Sequence, residues 1–199
     1  STGRTFQQMS PLTVLRAASY PRMPWKNGGG STEEITRDAG VGLDGFGWRL
    51  SIADIAESGG FSTFAGYQRI ITVLQGAGMT LHVDGQTTRP LRPLDPFAFS
   101  GESQVACTLL GGAIRDFNLI YAPDRYTARL QWIDSNQRFF TSAGTVLVFS
   151  VAEGLSVSVG KTTEVLGKHD CLQLGGNSEL LEVSTRGSCC LIELTATGL

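Results

Sequence analysis

Apolar residues recur along this chain with a period of two, in short runs separated by turn residues. Phe46-Gly-Trp-Arg-Leu-Ser-Ile-Ala53 alternates so that Phe46, Trp48, Leu50 and Ile52 share one face, while Arg49 and Ser51 share the other. That pattern predicts a half-buried strand with a polar face able to line a cavity. Trp48 lies on the apolar face and reads as core. Arg69-Ile-Ile-Thr-Val-Leu74 predicts a second strand, with Arg69 on the face of Ile71 and Val73. In Arg115-Asp-Phe-Asn-Leu-Ile-Tyr121, Asp116 and Asn118 fall on one face, Phe117 and Leu119 on the other. Turn dipeptides such as Asp44-Gly, Asp84-Gly, Ser100-Gly and Glu153-Gly punctuate these runs, and no segment sustains a period of 3.6 residues with caps. The expectation is an all-β chain of antiparallel strands in a sandwich or barrel.

An internal repeat then sets the architecture. Gly78-Met-Thr-Leu-His-Val83 resembles Gly154-Leu-Ser-Val-Ser-Val159, and after a one-residue adjustment Gly85-Gln-Thr-Thr88 matches Gly160-Lys-Thr-Thr163. The same register pairs Asp95 with Asp170, Phe97 with Leu172, Phe99 with Leu174 and Gly101 with Gly176. Two similar halves follow, drawn here as residues 10–122 and 123–199. A four-stranded unit cannot hide both faces, whereas closing the sheet removes its edges and buries one face inside, so a pair of β-barrels is expected.

Composition narrows the function classes. With 17% charged residues and a formal net charge of -2, the 199-residue chain lacks the positive field that nucleic-acid binding requires. Its apolar runs, such as Thr145-Val-Leu-Val-Phe149, are far shorter than the roughly 20 residues of a membrane-spanning helix. No partner of either kind, nucleic acid or membrane, is expected. The amino terminus shows no signal-peptide core; Met9 is a candidate natural start, and residues before Ser10 carry no reading. Cys107, Cys171, Cys189 and Cys190 form no C-x-x-C pair and read as small buried hydrophobes suited to a reducing cytoplasm.

Four segments together, Pro24-Trp-Lys-Asn-Gly-Gly-Gly-Ser-Thr32, Phe46-Gly-Trp-Arg-Leu-Ser51, Gly59-Gly-Phe-Ser-Thr-Phe-Ala-Gly-Tyr-Gln-Arg69 and Arg115-Asp-Phe-Asn118, resemble the HutD/Ves family. The resemblance runs from about Val14 to Tyr121 and fades in the second half. It implies a bicupin, that is, two tandem cupin-like barrels in one chain. It also implies a pocket for a small carboxylate of histidine breakdown, such as formylglutamate, urocanate or formate, in a protein that modulates the pathway rather than catalysing one of its steps. The family's ligand arginine maps onto Arg69. Tyr67 and Gln68 stand where many relatives carry an aliphatic residue and Asp.

A cupin metal site needs a His-x-His pair, a Glu a few residues on and a later His, because several ligands must converge on one divalent ion. Here the corresponding stretch reads His82-Val-Asp84, followed by Thr88 and Arg89, and the other histidine is His169 in the second half. No metal and no other cofactor is expected, and His82 reads as an ordinary strand residue.

Arg69 on a barrel's inner face must be paired, since burying an isolated charge is costly. A ligand carboxylate fits its fork through two parallel hydrogen bonds, and an internal acid such as Asp116 or Glu34 could satisfy it instead. Trp25, Lys26 and Asn27 precede three glycines in a loop that could fold over a small anion. Arg49, Ser51, Asp116 and Asn118 complete the candidate site. The leading reading is a non-catalytic carboxylate-binding protein whose second half is structural. Its rival is a metal-independent isomerase or hydrolase using Glu34, Asp116 or His82 as acid or base, although no nucleophile motif supports it. A third class, an interaction module pairing as a homodimer through sheet edges, is also compatible with the pattern.

Overall fold

The computed structural model describes residues 11–40, 42 and 45–198, so Met9 and Asp44 lie outside the described residues. These residues form nineteen strands and one short 3-10 turn (Ala17–Ser19), with no α-helix. They divide into two compact units, one built on residues 20–126 and the other on 11–19 with 127–196.

The first unit holds β2 (Arg22–Pro24), β3 (Gly30–Arg37), β4 (Trp48–Ile55), β5 (Gly59–Gly60), β6 (Gln68–Gln75), β7 (Met79–Val83), β8 (Gln86–Thr87), β9 (Phe97–Ser100), β10 (Val105–Leu109) and β11 (Ile114–Tyr121). The second holds β1 (Leu12–Leu15), β12 (Tyr126–Ile133), β13 (Gln137–Thr141), β14 (Thr145–Ser150), β15 (Leu155–Val159), β16 (Thr162–Leu166), β17 (Cys171–Leu174), β18 (Leu181–Arg186) and β19 (Cys189–Ala196). In the first unit one sheet runs β2-β3-β4-β11-β6-β9 and the other β5-β10-β7-β8. In the second the orders are β1-β17-β14-β19-β12 and β13-β18-β15-β16. Apart from β1, β2 and β3, each strand of one unit has its counterpart eight strands later in the other. The duplication read from sequence is therefore a duplication of topology, and the fold is a bicupin.

The repeated segments fall on equivalent elements. Gly78 and Gly154, which open β7 and β15, both take positive φ, at 108° and 88°. At Gly78 a Cβ would strike the carbonyl oxygen of Leu91, so glycine is required there for space as well as conformation. The units do not coincide with the halves drawn from sequence: β1 pairs with β17, so residues 12–15 extend the sheet of the C-terminal unit, and residues 123–126 group with the N-terminal one. Four residues with ordinary alternation carry no local signal of which sheet edge they will join.

Strand parity decides what each barrel contains. In the C-terminal unit the inner face is mostly hydrocarbon: Val146, Val148, Leu155, Val157, Leu166, Leu172, Leu174, Val183 and Leu191 pack together, with Leu12 and Val14 of β1 against them, and Ser150 and Glu193 are polar exceptions. In the N-terminal unit the lower part of the barrel is similarly filled by Ala53, Ile55, Ile71, Val73, Leu81, Phe99 and Ile114. Polar side chains occupy the rest of that face. All four cysteines are free and buried.

Leu172 is fully buried in the C-terminal core. We expect Leu172→Ala to lower unfolding stability by about 2–5 kcal/mol in urea titrations, the cost of lost burial plus a residual cavity.

Candidate functional site

β6, β11 and β4 lie side by side in the centre of the large sheet of the N-terminal unit, and their registers bring the polar residues together. Arg69 pairs with Ile120, Ile71 with Asn118 and Val73 with Asp116 on one side of β11; Ser51 and Ala53 flank Asn118 and Asp116 on the other. Arg69, Asp116, Asn118 and Ser51 are thus on one face, inside the barrel, and are only 8%, 1%, 7% and 3% exposed. The same pairing in the second barrel, β14 with β19, carries Val146, Val148 and Ser150 opposite Glu193, Leu191 and Cys189, so no arginine or aspartate stands at the equivalent positions.

Arg69 sits in an aromatic cage. Its guanidinium carbon lies 5.7 Å from the ring centre of Phe61, 5.2 Å from that of Phe64 and 5.0 Å from that of Phe99. These are cation–π distances, and the ring faces offset part of the cost of desolvation. Nη1 donates to the backbone carbonyl of Ser62 at 3.0 Å, while Nε is buried without a partner in the protein. Burial pushes the guanidinium down to about 10, with the negative field of Asp116 acting in the opposite sense. It remains a cation at neutral pH.

Asp116 is the complementary group. Its Oδ2 accepts from Asn118 Nδ2 at 3.2 Å, and its Oδ1 has no partner in the protein. Burial drives its pKa well above the ordinary carboxylate range, only partly countered by Asn118 and by Arg69. Cys107 on β10 feels the Asp116 charge too, although burial is the larger cause of its raised pKa.

Cys107 and Phe61 line a cavity of about 170 Å³ together with Trp25, Asn27, Gly29, Ile55, Glu57, Ser58, Gly59 and Gly60. Phe61 therefore belongs both to this cavity and to the cage around Arg69. The Trp25–Gly30 loop forms one wall: Trp25 Nε1 donates to Thr32 Oγ1 at 2.8 Å, Asn27 Oδ1 accepts from the Gly29 amide at 2.8 Å, and Trp25 N donates to Gly30 O at 2.8 Å. Gly28 needs its positive φ of 76°, and at Gly30 a Cβ would meet the Asp54 carbonyl and the Trp25 ring. A larger, open groove of about 510 Å³ is lined by Asp54 and Arg115, which form an ion pair, together with Ser31 and Gln75.

The family model HutD matches residues 17–191. The chain belongs to the HutD family. A relative described as an uncharacterized 21.2 kDa protein in the hutC 3′ region of Pseudomonas putida is 70% identical over 187 residues, spanning 94% of this chain and 98% of that protein. Protein Ves of Citrobacter koseri is 38% identical over 130 residues, 62% of this chain and 64% of that one. HutD from Pseudomonas fluorescens SBW25, solved in a formate condition, superposes with a TM-score of 0.88 at 69% identity, covering 94% of this chain and all of that one. AerE from Microcystis aeruginosa and salicylate 1,2-dioxygenase from Pseudoaminobacter salicylatoxidans, at 11% and 8% identity with TM-scores of 0.60, share the cupin-like fold alone.

In this HutD-family chain the sequence-selected residues separate into groups. Arg69, Ser51, Asp116 and Asn118 are brought together in the barrel, and Trp25 and Asn27 line the neighbouring cavity. Lys26 is exposed and lines neither cavity nor groove. Glu34, one of two acids that could have neutralised Arg69, is committed elsewhere: its Oε1 accepts from Arg49 Nε at 2.7 Å and from Arg37 Nη2 at 2.6 Å. Those two arginines hold the Glu34 carboxyl below its usual range, against the opposing effect of burial. His82 is an ordinary strand residue whose ring nitrogens meet Thr87 and Thr108 at 3.0 and 2.8 Å. Among the described residues no group of three or more His, Cys, Asp or Glu could hold a metal ion.

Four contributors were not singled out by sequence: Phe61, Phe64, Phe99 and Arg37. Phe61 and Phe64 precede Arg69 within the same motif, and that spacing was an available signal. Arg37 escaped because it is three residues from Glu34, which places it on the opposite face of a regular strand. A β-bulge between Glu34 and Thr36 resets the parity and puts both on one side.

The raised pKa of Asp116 fixes the sign of a pH effect. A carboxyl that binds its proton more tightly when folded has its full stabilising effect at low pH, and that effect is lost as pH rises from about 4 towards the folded-state pKa. We expect Asp116→Asn to flatten this decline, so that its thermal stability relative to the parent grows as pH rises from the ordinary carboxylate range towards the alkaline side. Calorimetry across that range checks it.

Proposed function

We propose that this HutD-family bicupin binds a small carboxylate without transforming it, as a cytoplasmic modulator of histidine utilisation. The observation that carries this reading is Arg69. It is a cation only 8% exposed, its nearest acid acts on it Coulombically without a direct hydrogen bond, and its Nε has no acceptor in the protein. A carboxylate supplies the two acceptor oxygens that a guanidinium fork takes best, and it neutralises the charge where water cannot.

Formylglutamate, urocanate and formate are the candidate ligands. The hutC-region placement of the Pseudomonas putida relative supports the pathway, and the formate condition of the Pseudomonas fluorescens HutD structure is consistent with a carboxylate. The buried, unbridged cysteines suit a reducing compartment. The hydrocarbon interior of the C-terminal barrel supports a structural role for that half.

One feature favours a second reading. A buried carboxyl whose pKa is raised is a competent general acid, and Asp116 has that character inside the barrel. Turnover would then accompany binding.

Thermal-shift and calorimetric titrations with formylglutamate, urocanate and formate, followed by mass detection of products, separate the two. Stabilisation without product supports binding alone, and consumption of any of the three supports the enzyme. Arg69→Met should weaken binding of the preferred carboxylate by about 2–5 kcal/mol, with Arg69→Lys intermediate because it keeps the charge and loses the fork. Unchanged affinity in Arg69→Met would remove the basis of the proposal.

A further inference from the structure

The role of Asp116 within that site can be specified further, and the inference rests on the carboxylate-binding reading. Asp116 is 1% exposed on the central strand β11, shielded from bulk solvent. As an ionised group it would have four lone-pair sites to satisfy, and the structure offers one side-chain donor. That donor, Asn118 Nδ2, is 3.2 Å from Oδ2 and is shared with the backbone carbonyl of Asp116 at 3.2 Å. Oδ1 receives nothing from the protein.

The charged and titratable groups around it do not make up the deficit. From β6, Arg69 acts through space, its own hydrogen bond going to Ser62 O. From β10 comes Cys107, a thiol with a raised pKa. From β3 and β4, Glu34, Arg37 and Arg49 are engaged with one another. An ionised carboxylate so poorly provided is costly to bury, whereas a neutral acid costs far less and presents an O–H.

We infer that Asp116 is carried as the neutral carboxylic acid and donates its O–H to an oxygen of the ligand held by Arg69. The site is then a two-donor seat, a guanidinium and an acid hydroxyl. The charge of Arg69 is left for the ligand rather than cancelled by Asp116. The ligand class narrows to small carboxylates that place an acceptor oxygen towards β11, either the second carboxylate oxygen or a carbonyl.

Infrared difference spectroscopy at pH 7 tests this on the full chain. The free protein should show the carbonyl stretch of a protonated carboxylic acid, and Asp116→Asn should lose it. Formylglutamate, at a concentration that saturates its thermal shift, should move that band to lower frequency. As a binding readout, Asp116→Leu should weaken formylglutamate binding about tenfold, and Asp116→Asn, which keeps an N–H donor, should recover part of that loss.

Absence of the band from the free protein overturns the inference whether or not any ligand binds. A band present but unmoved by bound formylglutamate overturns the donor role and leaves the carboxylate reading standing. If formylglutamate, urocanate and formate all fail to stabilise the protein, the carboxylate reading falls and the inference with it, even where the band is present. Should Asp116→Asn not fold, carbon-13 titration of the aspartate carboxyls in the parent gives the protonation state directly, and an ordinary carboxylate titration for every aspartate counts against the inference.

Discussion

A guanidinium taken out of water is the constraint around which the N-terminal barrel is organised. An isolated buried cation is far too costly to retain, so every group near Arg69 bears on how that cost is met. Three ring faces surround it, one backbone carbonyl accepts from it, and one buried acid attracts it from a distance. The carbonyl and two of the rings come from the segment between β5 and β6, which is pinned at both ends. Phe61 N donates to Val105 O at 2.8 Å, Phe64 N to Gly101 O at 2.6 Å, and Gly101 N to Tyr67 O at 2.8 Å. Gly101 has to be glycine, because a Cβ there would collide with the Phe64 carbonyl oxygen. The cage is therefore held by backbone pairing, and a small set of hydrogen bonds fixes the surroundings of the cation.

The two barrels make a controlled comparison within one chain. They share strand order and connectivity, so topology cannot account for their different interiors. Where β6 and β11 carry Arg69, Asp116 and Asn118, the equivalent positions of β14 and β19 carry Val146, Cys189 and Leu191, packed in a largely apolar core, and the one acid on that face, Glu193, accepts from Thr141. A filled interior stabilises its barrel by area and packing alone. The polar interior gives up part of that stabilisation and holds a buried cation and a buried acid instead. Placing both in one chain lets one barrel specialise while the other keeps a conventional core.

Glu34 shows how an acid on the right face can still be the wrong partner. Its carboxylate bridges Arg37 and Arg49, whose side chains are only 13% and 12% exposed, and the Arg37 guanidinium also lies 5.6 Å from the Phe46 ring centre. This network satisfies Arg49 within the protein, which leaves Arg69 as the inner-face arginine with no carboxylate directly bonded to it among the described residues. The single residue inserted in β3 brings Arg37 onto the face of Glu34 and completes that network.

Alternation along the strands by itself determined the all-β class, the face shared by Arg69, Ile71 and Val73, the face shared by Asp116 and Asn118, and the duplication of the chain. These properties follow from a period of two and from local turn chemistry, both of which are written in neighbouring residues. Tertiary structure decided that β1 joins the C-terminal sheet, that a bulge turns Arg37 towards Glu34, and that Phe99 completes a cage begun by Phe61 and Phe64. Lys26, adjacent in sequence to Trp25 and Asn27, was left at the surface for the same reason. Each of those outcomes depends on which strands become neighbours, and neighbours in a barrel are chosen by closure of the whole sheet rather than by any segment of it.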